Sequence, residues 1–150
     1  MPYQLLERDY DALTVGDAEA TRARTITEAD VVAFCTLTGD MFALHTDRVA
    51  AERSLFRRRI VPGMLVLAYS YGLGVPPGSS TILANYGTDA LRFPAPTFID
   101  DTIHLEAAVE EKRERDARGG IVTLRWDVVN QNGATVCASK LLVLVARSAA

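Results

Sequence analysis

The sequence predicts an α+β fold in which one antiparallel β-sheet wraps around a long central helix. Three observations carry this prediction. The run Met64 to Leu73 is apolar on nearly every side, bracketed by Pro62-Gly63 before it and Pro76-Pro77-Gly78 after it. The chain beyond that run reads as strands, with Ile103, Leu105, Ala107 and Val109 alternating with His104, Glu106, Ala108 and Glu110. Asn132-Gly133 then supplies a hairpin turn between two further strand patterns.

In chain order, Leu5 to Gly16 is a leading segment, and Ala18 to Ile26 has weak strand alternation. Thr27 is a helix N-cap, with Glu28 and Asp30 in the first turn, where the helix dipole favours negative charge. Ile26 and Val31 stand at the positions of a hydrophobic staple. Val31, Phe34, Cys35 and Thr38 make an i, i+3, i+4, i+7 stripe, and Gly39 suits the left-handed residue that ends the helix. Asp47 caps a short second helix through Val49, Ala50, Ala51 and Leu55. The run from Met64 is expected to be a fully buried helix of about three turns. Strands are expected over Ile82 to Phe93, from Ile103 to Val109, from Val122 to Val128 and from Val136 to Val145. Glu110 to Arg118 reads as a solvated strand end, with Gly119-Gly120 turning the chain, and Arg147 to Ala150 is expected to fray.

Composition narrows the function. A chain of 150 residues is one domain, 1–150, by size, and no linker or internal repeat divides it. It is 49% hydrophobic and 23% charged with net charge −3, which gives no general attraction to nucleic acid. The longest apolar run is too short to span a bilayer, and Met1-Pro2-Tyr3-Gln4 lacks a signal-peptide pattern, so a cytoplasmic setting is expected. Cys35 and Cys137 fit no metal-ligand spacing and read as reduced core residues.

Two histidines occur, and one of them, His45, lies five residues after Asp40 on a short segment between helical runs. A carboxylate and an imidazole so placed can converge on one water or one substrate proton. Polar loop residues that merely cap helices fit the same spacing equally well. Gly63, at the start of the apolar helix, carries an N–H that the helix itself leaves unpaired, able to receive an anion or a polarised carbonyl oxygen. Arg57-Arg58-Arg59 is either a solvated turn or a hand-hold for phosphates at a pocket mouth. Asn85 is either a pocket residue or strand-edge polarity. His104 reads as solvent-facing, Arg92 as an ion-pair partner, and Ser70 as bonded back to its own helix.

Several stretches together resemble a known family. They are Ile26-Thr27-Glu28-Ala29-Asp30-Val31, the Gly39-Asp40…His45…Asp47 segment, Arg59-Ile60-Val61-Pro62-Gly63-Met64, Arg92-Phe93-Pro94 and the closing strands. In combination they resemble the MaoC-like dehydratases, which include the (R)-specific enoyl-CoA hydratases and have the hot-dog fold. The resemblance implies that Asp40 and His45 are the acid–base pair and that the Gly63 amide binds a thioester carbonyl. It implies a hydratase or dehydratase of 2-enoyl or 3-hydroxyacyl thioesters, in fatty-acid or polyketide metabolism. It also implies a homodimer or higher homo-oligomer with sites near the subunit interface, and no metal or redox cofactor. CoA or carrier-protein phosphopantetheine enters as part of the substrate. Phe42, Tyr71 and Asn85 are assigned to substrate binding.

Four positions depart from the family pattern. Phe42-Ala43 replaces the usual Asn-Pro, which removes an amide handle and frees the loop backbone. Pro62 stands where His is frequent, and Tyr71 where some hydratases carry a small hydroxyl residue. Thioester hydrolysis on the same fold, and a non-catalytic acyl-thioester-binding subunit, are the competing expectations.

Overall fold

The computed structural model describes residues 4–148. The expected leaderless start at Met1 to Tyr3 and the fraying end at Ala149 and Ala150 lie outside the described residues. After a 3-10 turn at Leu5–Glu7 come β1 (Ala18–Ala20), β2 (Arg24–Thr25), α1 (Glu28–Thr38), α2 (Ala43–Thr46), α3 (Arg48–Arg53) and α4 (Gly63–Gly74). Four long strands close the chain: β3 (Ile82–Arg92), β4 (Thr102–Asp116), β5 (Gly119–Asn130) and β6 (Thr135–Ala146). They form one antiparallel sheet in the order β1-β4-β5-β6-β3, with β2 also on β4. The inward residues of β4, Ile103, Leu105, Ala107 and Val109, are at most 2% exposed, and they face α4 together with Trp126 and Leu124 of β5. The α+β expectation, a sheet wrapped on a helix, matches this architecture.

The expected first strand is broken in two. Thr21 interrupts it: its side chain accepts from the Leu105 amide at 3.0 Å and donates to the Arg22 carbonyl, so a hydroxyl replaces a ladder bond. The glycines 119 and 120 do not turn the chain. They open β5, and the turn is at Ala117 and Arg118. Each is glycine because backbone passes too close for a side chain. A β-carbon at Gly119 would lie 2.0 Å from the Val145 carbonyl oxygen, and one at Gly120 would lie 2.5 Å from that of Arg113. The tail does not fray at Arg147, whose guanidinium binds Asp11 and Glu114 and whose amide binds the Arg118 carbonyl.

Helix α4 is not fully buried. Its inward positions Leu65, Val66, Ser70 and Leu73 are, but Met64, Ala68 and Gly72 form an exposed i, i+4, i+8 stripe. An apolar composition on every side cannot distinguish the two faces, which is why the sequence misleads here. The exposed stripe belongs with the outer edge of the sheet. Strand β3, bonded among the described residues only to β6, leaves Leu83, Tyr86 and Ala90 open to solvent.

Helix α1 is capped as expected, with one addition. Thr27 Oγ1 accepts from the Asp30 amide, and Asp30 accepts from the Thr27 amide at 2.8 Å, forming a reciprocal capping box. Burial pushes the Asp30 carboxyl up, but the bonds from the Thr27 amide and the Tyr69 and Thr27 hydroxyls, with the Arg24 charge, outweigh it and hold the pKa at about 2. A depressed carboxyl pKa stabilises the fold above its unfolded value, 3.8, and that stabilisation is lost as pH falls toward about 2. Asp30→Asn is therefore expected to cost about 2 kcal/mol at neutral pH. The variant and the parent should converge in urea denaturation as pH is lowered through this window.

Candidate active site

The helix stop delivers Asp40. Gly39 takes φ 75°, the left-handed geometry that glycine adopts without penalty, and its N–H returns to the Cys35 carbonyl. Thr38 Oγ1 donates to the Phe34 carbonyl and accepts from the Asp40 amide, which fixes the exit. The expected short loop contains a helical turn, so His45 sits on α2 rather than on irregular backbone. Nor is the segment freed by its missing proline. The Phe42 amide reaches Asp40 Oδ1 at 3.4 Å, and Thr46 Oγ1 donates to the Met41 and Phe42 carbonyls at 3.1 and 3.2 Å. Asp47 closes the segment by accepting from the Ala50 amide, as expected of a cap.

His45 is 8% exposed and its orientation is fixed by the backbone. Its Nδ1 lies 2.8 Å from the Ile60 carbonyl oxygen. A carbonyl only accepts, so Nδ1 carries the hydrogen, and in the neutral ring the Nε2 lone pair is free. The Ile60 amide in turn donates to the carbonyl of Leu44, the residue before the histidine. Asp40 Oδ2 stands 3.9 Å from Nε2, with the carboxylate side chain 44% exposed. The free nitrogen thus faces a solvent-accessible carboxylate. Phe42 meets the imidazole edge-on at 5.6 Å between ring centres.

Gly63 is the first residue of α4, placed by Val61, whose amide bonds the Thr97 carbonyl at 2.7 Å, and by the extended Pro62. The Gly63 N–H has no acceptor among the described residues. A β-carbon here would fall 2.8 Å from the Phe93 ring, so glycine is what lets that ring close over the helix start. His45 and Gly63 line one cleft of about 390 Å³ with Phe56, Ile60, Phe93 and Val136. Asp40 lies beside the imidazole but is not part of this wall. His45 also borders a second recess, of about 210 Å³, with Val31, Cys35, Met41 and Arg59. Burial pushes the Cys35 thiol up, and the nearby Asp40 charge adds to it, while Arg59 opposes.

The other assigned residues lie elsewhere. Tyr71 and Asn85 are not in the cleft of His45 and Gly63. Tyr71 Oη is 2.7 Å from Thr88 Oγ1 and accepts from Asn85 Nδ2 at 3.4 Å, at the seam of α4 and the edge strand β3. Eight residues of helix, about 12 Å of rise, separate Tyr71 from Gly63. Ser70 is bonded as expected, donating to the Leu67 carbonyl. His104 is half-buried beside Glu106 at 3.2 Å. Arg92 forms no ion pair among the described residues and donates instead to the adjacent Leu91 carbonyl. The Ile60 carbonyl was not legible in the sequence, since a backbone acceptor leaves no trace in residue type. Phe93 was legible only as part of the Arg92-Phe93-Pro94 motif.

The chain is similar to several known proteins. The family model described as "MaoC like domain" matches residues 12–130. Protein MaoC of Klebsiella aerogenes is 38% identical over 73% of this chain, which spans 32% of that relative's length. An (R)-specific enoyl-CoA hydratase of Aeromonas caviae is 32% identical, over 88% of this chain and 95% of the relative. Among solved structures, the Monoamine oxidase regulatory protein from Archaeoglobus fulgius superposes with TM-score 0.89 at 33% identity, covering 95% of this chain and 96% of that one. A protein of Mycobacterium tuberculosis described as a double hotdogfold superposes with TM-score 0.81 at 17% identity, over 94% of this chain and 44% of that one, a likeness of fold alone.

Proposed function

This chain belongs to the MaoC-like family with the hot-dog fold, and from that premise we propose that it is a hydro-lyase. The reaction adds water to a 2-enoyl thioester, or removes it from the 3-hydroxyacyl product. The observation that carries the reading is the His45 tautomer, with Nδ1–H spent on the Ile60 carbonyl and Nε2 facing Asp40 at 3.9 Å.

In the forward direction a water held between Nε2 and the Asp40 carboxylate loses its proton to Nε2 as its oxygen bonds to C3. The C2=C3 electron pair moves toward C2 and the thioester oxygen. The Gly63 N–H, at a helix N-terminus, stabilises the developing enolate oxygen by about 3 kcal/mol. The imidazolium then passes its proton to the Asp40 carboxylate, which delivers it to C2, so the pair ends as it began and one water has been added. Pro62 leaves this arrangement intact, because the donor is the amide of the next residue.

The remaining assignments belong to the same proposal. The chain acts as a single domain with no resident cofactor, since the CoA or phosphopantetheine arm arrives with the substrate. A second copy covers the exposed α4 stripe and the β3 edge, where Leu83, Tyr86, Met64 and Phe93 lie open. The Tyr71–Asn85–Thr88 seam borders that interface, so Tyr71 and Asn85 reach substrate only through the assembled dimer. The deciding measurement is loss of the enoyl absorbance of crotonyl-CoA with the purified protein. Consumption of enoyl without thiol release is expected. Thiol release without hydration would replace this reading with hydrolysis, and no turnover on any enoyl thioester would replace it with a binding subunit.

A further inference from the structure

The three consecutive arginines separate Phe56 from Ile60, and both flanking residues line the cleft that holds His45 and Gly63. The arginines diverge in the fold. Arg59 turns inward, its guanidinium held by both oxygens of Glu28. Arg57 and Arg58 are exposed, and neither has a carboxylate partner among the described residues. Arg58 is nonetheless held in place. Its guanidinium lies over the Phe98 ring, 3.6 Å from the centroid, and Phe98 comes directly after Thr97 of the cleft wall. Stacking occupies the face of the guanidinium and leaves its N–H edges for an acceptor. Arg57 has φ 62°, a left-handed conformation that residues with a β-carbon adopt at a cost. Two exposed cations without a carboxylate partner among the described residues thus lie on the segment that joins Phe56 and Ile60 of the cleft wall, in a chain of net charge −3.

We propose that Arg57 and Arg58 form a phosphate-binding rim that holds the phosphate ester at the far end of the thioester's pantetheine arm. The inference rests on the thioester reading above and adds the charged end of the substrate to it. The chemistry is common to CoA and to a carrier protein's prosthetic group, since both attach the arm through a phosphate. Arg59 takes no part, being neutralised by Glu28. The rim also gives the cleft an anion-attracting mouth, whose effect weakens as salt rises.

The experiment compares three thioesters of the same acyl group on the parent and on Arg57→Gly and Arg58→Gln. Glycine suits the left-handed backbone at position 57, so the first variant removes the charge without adding strain. For crotonyl-CoA, each variant is expected to raise KM about tenfold with kcat unchanged. For crotonyl-N-acetylcysteamine, which has no phosphate, KM and kcat should both stay at the parent values. Crotonyl-4′-phosphopantetheine distinguishes the sources. A rise matching that for crotonyl-CoA places the shared phosphate on the rim, whereas a rise for crotonyl-CoA alone would overturn the proposal by placing the CoA nucleotide phosphates there instead. Equal effects on the phosphate-free and CoA thioesters, or no effect on either, would overturn the proposal and leave a solvated turn. Calorimetric titration of free CoA reads the rim without turnover, so absent hydratase activity counts against the reaction and not against the rim. There the variants should weaken CoA binding about tenfold, and unchanged affinity would overturn the rim.

Discussion

Asp40→Asn and His45→Ala are each expected to lower kcat on an enoyl thioester by at least about a hundredfold, with the fold intact. The two fail for different reasons. The asparagine keeps the shape of the carboxylate and accepts a hydrogen bond from water, but it cannot exchange a proton. The alanine removes the proton acceptor altogether and leaves the Ile60 carbonyl without its donor at 2.8 Å. Because the residues hand one proton between them, the double variant should be little worse than the poorer single one. The Asp40 change touches a half-exposed carboxylate, so its thermal midpoint should match the parent. His45→Ala empties a buried site and should lose some stability. Activity in either variant within a few-fold of the parent would remove the acid–base assignment.

How far the sequence could reach depended on whether a residue acts through local chemistry or through its neighbours in space. Thr27 and Gly39 were legible because capping is local: a hydroxyl before a helix and a glycine after it act within a few residues. Those two positions place Asp40, so the carboxylate end of the site could be read directly. Helix α2 could not, because Phe42 makes no side-chain cap and four residues have no period to detect. Gly119 and Gly120 were misread because glycine signals both turns and close backbone approach, and only the position of Val145 and Arg113 distinguishes the two. The exposed stripe of Met64, Ala68 and Gly72 leaves no mark in the sequence, because an exposed apolar face and a buried one use the same residues. Tyr71 is assigned by resemblance, and Asn85 by its place in the strand after the helix, to a pocket that in the single chain lies two helical turns from Tyr71. The bonds of the Tyr71 hydroxyl to Thr88 and Asn85 at the β3 edge are a product of tertiary packing alone.

The second large effect is on stability, at the contact that seats α4 in the sheet. Trp126 is fully buried, and its indole Nε1–H donates to Ser70 Oγ at 2.7 Å, which donates onward to the Leu67 carbonyl at 2.6 Å. Tyr71 lies against the same ring, 6.0 Å between centroids. Gly74 is bare where the indole passes: a β-carbon there would be 2.5 Å from Trp126 Cη2. One side chain therefore sets both the height and the rotation of the helix whose first amide is the proposed oxyanion donor. Trp126→Ala is expected to cost about 3–5 kcal/mol, a large share of the roughly 5–15 kcal/mol that holds a domain of this size together. Trp126→Phe separates packing from hydrogen bonding. It keeps most of the apolar contact but leaves the buried Ser70 hydroxyl without its donor, at a cost of about 1–3 kcal/mol. If the bond contributes that much, Ser70→Ala should be less damaging in the Trp126→Phe background than in the parent, by about 1 kcal/mol in urea denaturation. Strict additivity of the two substitutions would show that the indole seats the helix by shape alone.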